Sequence, residues 1–567
     1  MNEMRSIRKK IVALFFSIVI LSACGVPPEK SPSVSGSSVR SSDLVIDTLV
    51  EKKINEWRMS PEKIVGEEHI YSAVLAENFY KGRNDKPAWS LNGSLTQVAT
   101  LIKAIEEAYD DGLTPDYYHL SLIKRLVDKV EKDPSHDPGH IADLDIFLTD
   151  AFLTLGCHLS AGCVDPVTIE SEWFAKHGTV DVSSVLDQAL RKKQVREALL
   201  LLRPEQDSYN RLRKALAQYR ELSSRGEFPL VSTGPLLKKG AVSDRVAELR
   251  KRLAASGDLE AAEIIQGTLF DKKLEQSIIT FQKRHGLKAD GIVDSATCNA
   301  LNVPLKQRIR QMELNMERLR WILGNQEHRS IVVNIANFDL NVFENWKSVL
   351  SMKAVVGKPY LSTPVFTAKL THLIINPSWN VPNSIAHKEI LKIIKKDPNY
   401  LTAQNMKVLK GWGHLEEEID PETIDWSKIT ESNLTYRFRQ ESGPRNALGH
   451  IKFMLPNKFD VYLHDTPARR LFSENMRAFS HGCTRIEKPI ELAEYLLRDA
   501  PGWSRERLLA AIETGVEQKV MIPRPINVHF LYLTAWVDDE GTIEFRNDIY
   551  GRDKLLDEAM RKKPSFY

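Results

Sequence analysis

Near Ser330 the hydrophobic rhythm of the chain changes from helical to β, and that change limits what it can fold into. Before it, from about residue 43 to 232, apolar residues recur at three- and four-residue spacing, as in 101–109 and 185–202. That is the stripe of an amphipathic helix. After it come short β-branched runs at 331–336, 340–343, 352–357 and 373–376, with strand signals again at 451–455, 461–464 and 529–537. At 567 residues the chain also exceeds what one hydrophobic core organises. The pattern predicts a multidomain α+β protein: a helical scaffold domain at 43–233 and a β-rich domain at 329–567.

Between these halves, residues 235–303 read as a small three-helix bundle, with Val246, Leu249 and Leu253 on one helical face and glycines at helix ends. A basic amphipathic helix at 304–328 reads as a connector. Inside the β-rich part, a Pro-, Asn- and Trp-rich stretch at about 383–443 is too long for a plain loop and reads as an inserted subdomain or lid.

Arg5, Arg8, Lys9 and Lys10 precede an apolar run of 11 residues, 11–21. A spanning helix needs roughly 20 apolar residues, so the run fits a secretory signal peptide, 1–23. It ends Leu21-Ser22-Ala23-Cys24-Gly25, which resembles the lipobox of bacterial lipoproteins, with Cys24 lipid-modified; an uncleaved signal anchor is the other reading. A Ser-, Pro- and Gly-rich tether follows at 24–42. The body of the protein is expected in the periplasm or cell envelope, held at a membrane. Net charge is +3 with no basic stripe among aromatics, which gives no support to a nucleic-acid partner.

Five cysteines are too few for a disulfide framework. Cys157 and Cys163 are awkwardly spaced for pairing on a helix, and Cys298 reads as a small core residue. In the scaffold no titratable cluster stands out, and His119, His158 and His177 lack metal-ligand spacing. The chemistry concentrates at Val461-Tyr462-Leu463-His464-Asp465 and at Ser480-His481-Gly482-Cys483-Thr484-Arg485. Histidine and arginine around Cys483 make an electropositive setting that favours the thiolate. His464 supplies a base, Gly482 leaves room beside the sulfur, and backbone N–H groups of Gly482 and Cys483 are candidates for an oxyanion hole. A buried structural cysteine, a zinc site from His464, His481 and Cys483, and a disulfide to Cys157 or Cys163 are the competing readings of the same residues.

The phrase Ser480–Arg485 resembles the "SHGCxR" signature of the YkuD-type L,D-transpeptidases, whose upstream histidine falls on His464. Asn376-Pro377-Ser378-Trp379-Asn380-Val381-Pro382, the 442–449 phrase, the 547–553 phrase and "DGLTPDYYH" at 111–119 are similar to the large, lidded YcbB-like branch. The bundle's closing phrase, 281–301, resembles a peptidoglycan-binding domain. The resemblance implies a cysteine acyltransferase with Cys483 as nucleophile and His464 as general base, needing no metal or organic cofactor. It also implies supporting roles for Ser480, His481, Gly482, Arg485 and Asp465, and lid or substrate contacts from Trp379 and Asn380. Its partners would be peptidoglycan stem peptides as donor and acceptor, and carbapenems are expected to acylate it. Cross-linking of diaminopimelate to diaminopimelate is the expected reaction. Hydrolysis by an L,D-carboxypeptidase or endopeptidase, attachment of proteins to the wall, and a non-catalytic wall-binding lipoprotein stay open.

Overall fold

The computed structural model of the protein describes residues 41–562 apart from 61–62, 67, 92–93, 133–136, 170–179, 323–327 and 346. The signal peptide, Cys24, most of the tether and His177 lie outside the described residues.

The N-terminal part is helical and is built around α1 (Pro138–Ala161). This helix is apolar enough to cross a membrane by length and composition, but 83% of its most apolar stretch is buried inside the fold. An all-round apolar helix of this kind is a core helix. Two buried aspartates break its apolar surface, and each pins a loop. Asp145 accepts from the N–H groups of Ala88 (2.9 Å) and Trp89 (2.8 Å) and from the Tyr80 hydroxyl (2.8 Å). Asp150 accepts from Tyr71 N–H, Ser72 N–H and His119 Nε2. The sequence shows no titratable cluster here; folding creates one, and it serves the scaffold by satisfying buried backbone donors.

The expected small bundle is made by α3 (Asp244–Ala255), α4 (Lys272–Arg284) and α5 (Ser295–Leu301), which follow α2 (Asp207–Ser224). Val246, Leu249, Leu253, Leu274, Ile278, Phe281 and Cys298 make its core. Ser243, Asp271 and Asp294 cap the three helices by accepting backbone N–H bonds. His285 packs rather than binds: its ring stacks on Phe281 at 3.8 Å and faces Phe545 at 5.6 Å, and burial drives its pKa well below the usual histidine range.

Helix α6 (Leu305–Ile322) departs from the connector reading. From Met312 to Trp321 most of its residues are buried, polar ones included. Glu317 and Arg320 pair at 2.8 Å with both side chains at 0% exposure. Glu317 also accepts from the N–H groups of Cys163 and Val164 and from Trp321 Nε1. Arg320 reaches the Asp111 carbonyl and the Tyr209 hydroxyl. Its charged residues bind it to the scaffold because loop carbonyls and N–H groups meet them there.

The C-terminal part is built on a sheet of nine strands. They are β1 (Arg329–Asn334), β2 (Asp339–Glu344), β3 (Lys347–Gly357), β4 (Phe366–Ile375), β9 (Ile451–Met454), β10 (Leu463–His464), β11 (Ala478–Ser480), β12 (Thr484–Ile486) and β13 (Gln518–Leu531). Their order is β11-β3-β12-β10-β9-β4-β13-β1-β2, and β2 also pairs with β3, so the sheet closes on itself. One face and its flanking helices hold the largest core, with Leu463, Phe453, Leu373, Ile375 and Ile451 fully buried. Between β4 and β9 the chain makes a separate four-stranded sheet, β7-β6-β8-β5, from β5 (Trp379–Asn380), β6 (Met406–Lys410), β7 (Glu417–Ile419) and β8 (Arg437–Gln440). It has its own core, including Ile390, Ile394, Leu401, Val408, Trp426 and Phe438. The stretch without strand rhythm is thus a folded subdomain, its β content masked by turn residues.

Candidate active site

The register of two short parallel strands builds the site. Leu463 on β10 pairs with Thr484 on β12, and His464 with Arg485. Paired residues share a face and neighbours along a strand alternate. Leu463 and Thr484 therefore enter the core, while Tyr462, His464, Cys483 and Arg485 share the opposite face. Lys452 on β9 pairs with His464 and joins them.

His464 is 4% exposed. Its Nδ1 lies 2.6 Å from the Asp465 carbonyl, which can only accept, so Nδ1 carries the proton and Nε2 is the basic nitrogen. Burial first, then the Arg485 charge, lowers its pKa to about 3. The imidazole is neutral at any physiological pH.

Cys483 differs from the sequence expectation. Burial pushes its thiol above the usual range, although the backbone and hydroxyl of Tyr462 and the charges of Lys452 and Arg485 pull it down. The electropositive surroundings are present, but desolvation outweighs them. The thiol donates to the Asp460 carbonyl at 3.7 Å, not to the imidazole. All four described cysteines, Cys157, Cys163, Cys298 and Cys483, are free thiols.

The backbone around the sulfur is tied from beneath. Ser480 Oγ donates to the Cys483 carbonyl at 2.5 Å and accepts from Gly482 N–H at 3.2 Å. That N–H is therefore occupied and is not a free oxyanion donor, contrary to the sequence expectation, whereas the N–H of Cys483 has no partner among the described residues. Gly482 sits at φ +113° with open space where a side chain would be, so its glycine character serves the backbone turn and leaves the approach clear. Thr363 Oγ1 donates to the Gly482 carbonyl and accepts from Gly357 N–H. Tyr550 and Arg552, from the 547–553 phrase, hold the Gly357 and Thr363 carbonyls in turn.

The other expected residues fall at the edges. The Asp465 carboxylate turns away from His464 to accept from His450 N–H and Arg469. It fills the space where a side chain at Gly449 would stand, and Gly449 has φ +61°. His481 leans out to Glu389 of the inserted subdomain at 2.5 Å. From the same subdomain, the Trp379 indole bonds the Tyr462 hydroxyl, while Asn380 is exposed on the other side of β5. Tyr462, Lys452 and Thr363 are contributors that the motif reading missed. Tyr462 carried a signal, since it stands two residues before His464 on a strand and so shares its face; Lys452 and Thr363 carried none.

Residues 328–516 match the model of the L,D-transpeptidase catalytic domain called YkuD. This chain carries an L,D-transpeptidase catalytic domain. Residues 75–216 match a scaffold domain, and 242–301 match a "Putative peptidoglycan binding domain". A Haemophilus influenzae protein named "Putative L,D-transpeptidase" is 36% identical over 250 residues, 44% of this chain and 49% of that protein. The match thus spans about half the length of this curated relative. Solved structures similar to it include an L,D-transpeptidase from Mycobacterium smegmatis (13% identity, 36% of this chain and 58% of that chain, TM-score 0.17). Another is an L,D-transpeptidase from Stackebrandtia nassauensis (13% identity, 53% and 96%, TM-score 0.20). The L,D-transpeptidase domain of this chain is the closed sheet with its insertion, and peptidoglycan-related domains flanking it imply a cell-envelope setting.

Proposed function

We propose that the protein is a cell-wall L,D-transpeptidase in which Cys483 is the nucleophile and His464 the base. The observation that carries this reading is the shared face of β10 and β12, which puts a thiol, a neutral imidazole with a fixed tautomer and two cations on one surface. The thiol proton passes to His464 Nε2 once the side chain turns from the Asp460 carbonyl. The thiolate attacks the carbonyl of the L-centre of diaminopimelate in a tetrapeptide stem, the C–N bond breaks, and D-alanine leaves with the proton from His464. The amine of a second stem attacks the thioester and loses its proton to His464. The sulfur departs as thiolate, and the product is a diaminopimelate-to-diaminopimelate cross-link. No step calls for a metal or organic cofactor.

The free N–H of Cys483 supports a role as oxyanion donor. Ser480, Thr363 and Asp465 position this backbone, Arg485 and Lys452 favour the thiolate, and His481 with Trp379 link the site to the insertion, while Asn380 faces away from the sulfur. Acylation by carbapenems belongs to the same reading, and the 21–25 phrase supports lipid attachment at Cys24. The test is mass spectrometry of the full chain incubated with a tetrapeptide-bearing muropeptide. Wild-type protein gains the acyl mass at Cys483 and yields cross-linked dimers. Cys483→Ala gives neither; dimers from that variant would end the assignment, and acylation without dimers would point to hydrolysis.

A further inference from the structure

The inserted subdomain has a second face that the chemistry above does not use. On its sheet Asn380 pairs with Arg439, and Leu409 with Arg437. Alternation puts Asn380, Arg437 and Arg439 on one side, opposite Phe438, Val408 and the subdomain core. A cavity of about 260 Å³ opens beside them, lined by Asn380, Val381, Pro382, Asn383, Trp412, Arg437 and Phe438. Trp412 is 71% exposed, an unusual state for so large an apolar ring. The Arg437 guanidinium lies 3.8 Å from its ring centroid, covering one face of the indole and leaving the other open.

The charges here cancel. Arg437 pairs with Glu416 at 2.6 Å, Arg439 with Glu416 and Glu441, and Lys407 with Glu418. Arg437 further donates twice to the Gly411 carbonyl. Three cations thus meet three carboxylates, and none is left to attract an ionic ligand. What the face offers is one rigid aromatic plane, exposed amides at Asn380 and Asn383, and room for about one ring rather than for a drug-sized ligand.

We propose that this groove binds a neutral N-acetylated sugar of the wall's glycan strand, stacked on the open face of Trp412 and hydrogen-bonded by Asn380 and Asn383. A stem peptide, which is anionic, finds no free cation. Continuity with the reactive face supports the sugar. Asn380 lines the groove while its strand neighbour Trp379 bonds Tyr462, which bonds the Cys483 sulfur. A sugar held on one side of β5 would place its attached stem towards the thiol on the other. The inference rests on the transpeptidase reading for its biological meaning, but not for its test.

The test is binding by the full chain of the uncharged tetramer of N-acetylglucosamine, with the free tetrapeptide as the second probe. Oxidation of tryptophans by N-bromosuccinimide, mapped by mass spectrometry, reads Trp412 separately from any sugar bound at the 242–301 bundle. Saturating tetramer is expected to slow oxidation of Trp412 at least tenfold, and the tetrapeptide to leave it unchanged. In titrations, Trp412→Ala should lose the binding assigned to this site and Trp412→Phe should keep part of it. Protection by tetrapeptide and not by sugar, or no protection by either, overturns the proposal. Failure of Cys483 to acylate in the separate muropeptide assay would instead overturn the transpeptidase reading and leave the sugar result standing.

Discussion

His464 and Cys483 stand on adjacent parallel strands, offset by two residues, and share no hydrogen bond. The pairing of His464 with Arg485 puts the imidazole diagonal to the sulfur, and the thiol proton rests on the Asp460 carbonyl. The resting site is therefore a neutral thiol beside a neutral imidazole. An ion pair is not its ground state, so the thiol must lose its proton before the sulfur can react.

The pH dependence of stability comes from His464. Its folded pKa is about 3, against roughly 6.5 in an unfolded chain. Below pH 6.5 the unfolded chain takes up a proton that the folded imidazole refuses. This contribution to stability is thus complete above pH 6.5 and falls as pH drops towards 3. Denaturant titrations of wild type and His464→Gln should diverge in that window, with the wild type losing more; parallel curves would show that the imidazole is not desolvated. Single-turnover acylation by the same variant should be lost.

Tyr462→Phe removes the hydroxyl that hydrogen-bonds the sulfur and receives the Trp379 indole. A hydrogen bond to a charged group is worth about 1.5–3 kcal/mol. Thiolate formation should become roughly 10- to 150-fold less favourable, seen as a rise of the thiol pKa in iodoacetamide alkylation against pH. Lys452→Met should move the same profile in the same direction, because the Lys452 charge lowers the thiol pKa. An unmoved profile in both would mean that neither group faces the sulfur.

Thr363→Val keeps the side-chain shape and deletes both bonds of the hydroxyl. The Gly482 carbonyl and the Gly357 N–H lose a partner in a buried place, at about 1–3 kcal/mol each. Acylation should slow while the alkylation pH profile stays where it is, since the loop shifts but the charges do not. Wild-type acylation rates would remove Thr363 from the positioning role.

Glu317→Ala tests the anchoring of α6 to the scaffold. It leaves Arg320 buried without its carboxylate and strips the acceptor from Cys163, Val164 and Trp321. Breaking a buried pair costs about 3–5 kcal/mol. Hydrogen exchange should show loss of protection in α6 and at the C-terminal end of α1, because Glu317 holds the backbone that follows α1 through Cys163 and Val164; loss confined to α6 would contradict that.

Much of this was legible in sequence, for a physical reason. The switch of period near Ser330 records burial on one stripe or one face, and the bundle's caps and glycines record turns, so elements of both kinds can be read locally. Cys483 and His464 stood out because their chemistry is rare in a polar loop phrase. Lys452 and Thr363 did not, because a side chain's place across a sheet depends on register, and register is settled by partners far away in the chain. The thiol's raised pKa was hidden likewise: neighbours in sequence announce charge, but desolvation belongs to the assembled fold. The subdomain at 383–443 was visible only as an interruption, since its strands are short and crowded by turn residues.

His285 stacked between Phe281 and Phe545 has one more consequence. With Arg546 also bonded to the Arg284 carbonyl, the small bundle is fastened to the C-terminal part just beyond β13. A protein so joined carries its own ruler. On the proposed function, a bundle resting on the wall would hold the sulfur at one set distance and angle from that point, and the mesh itself would select which stem comes within reach.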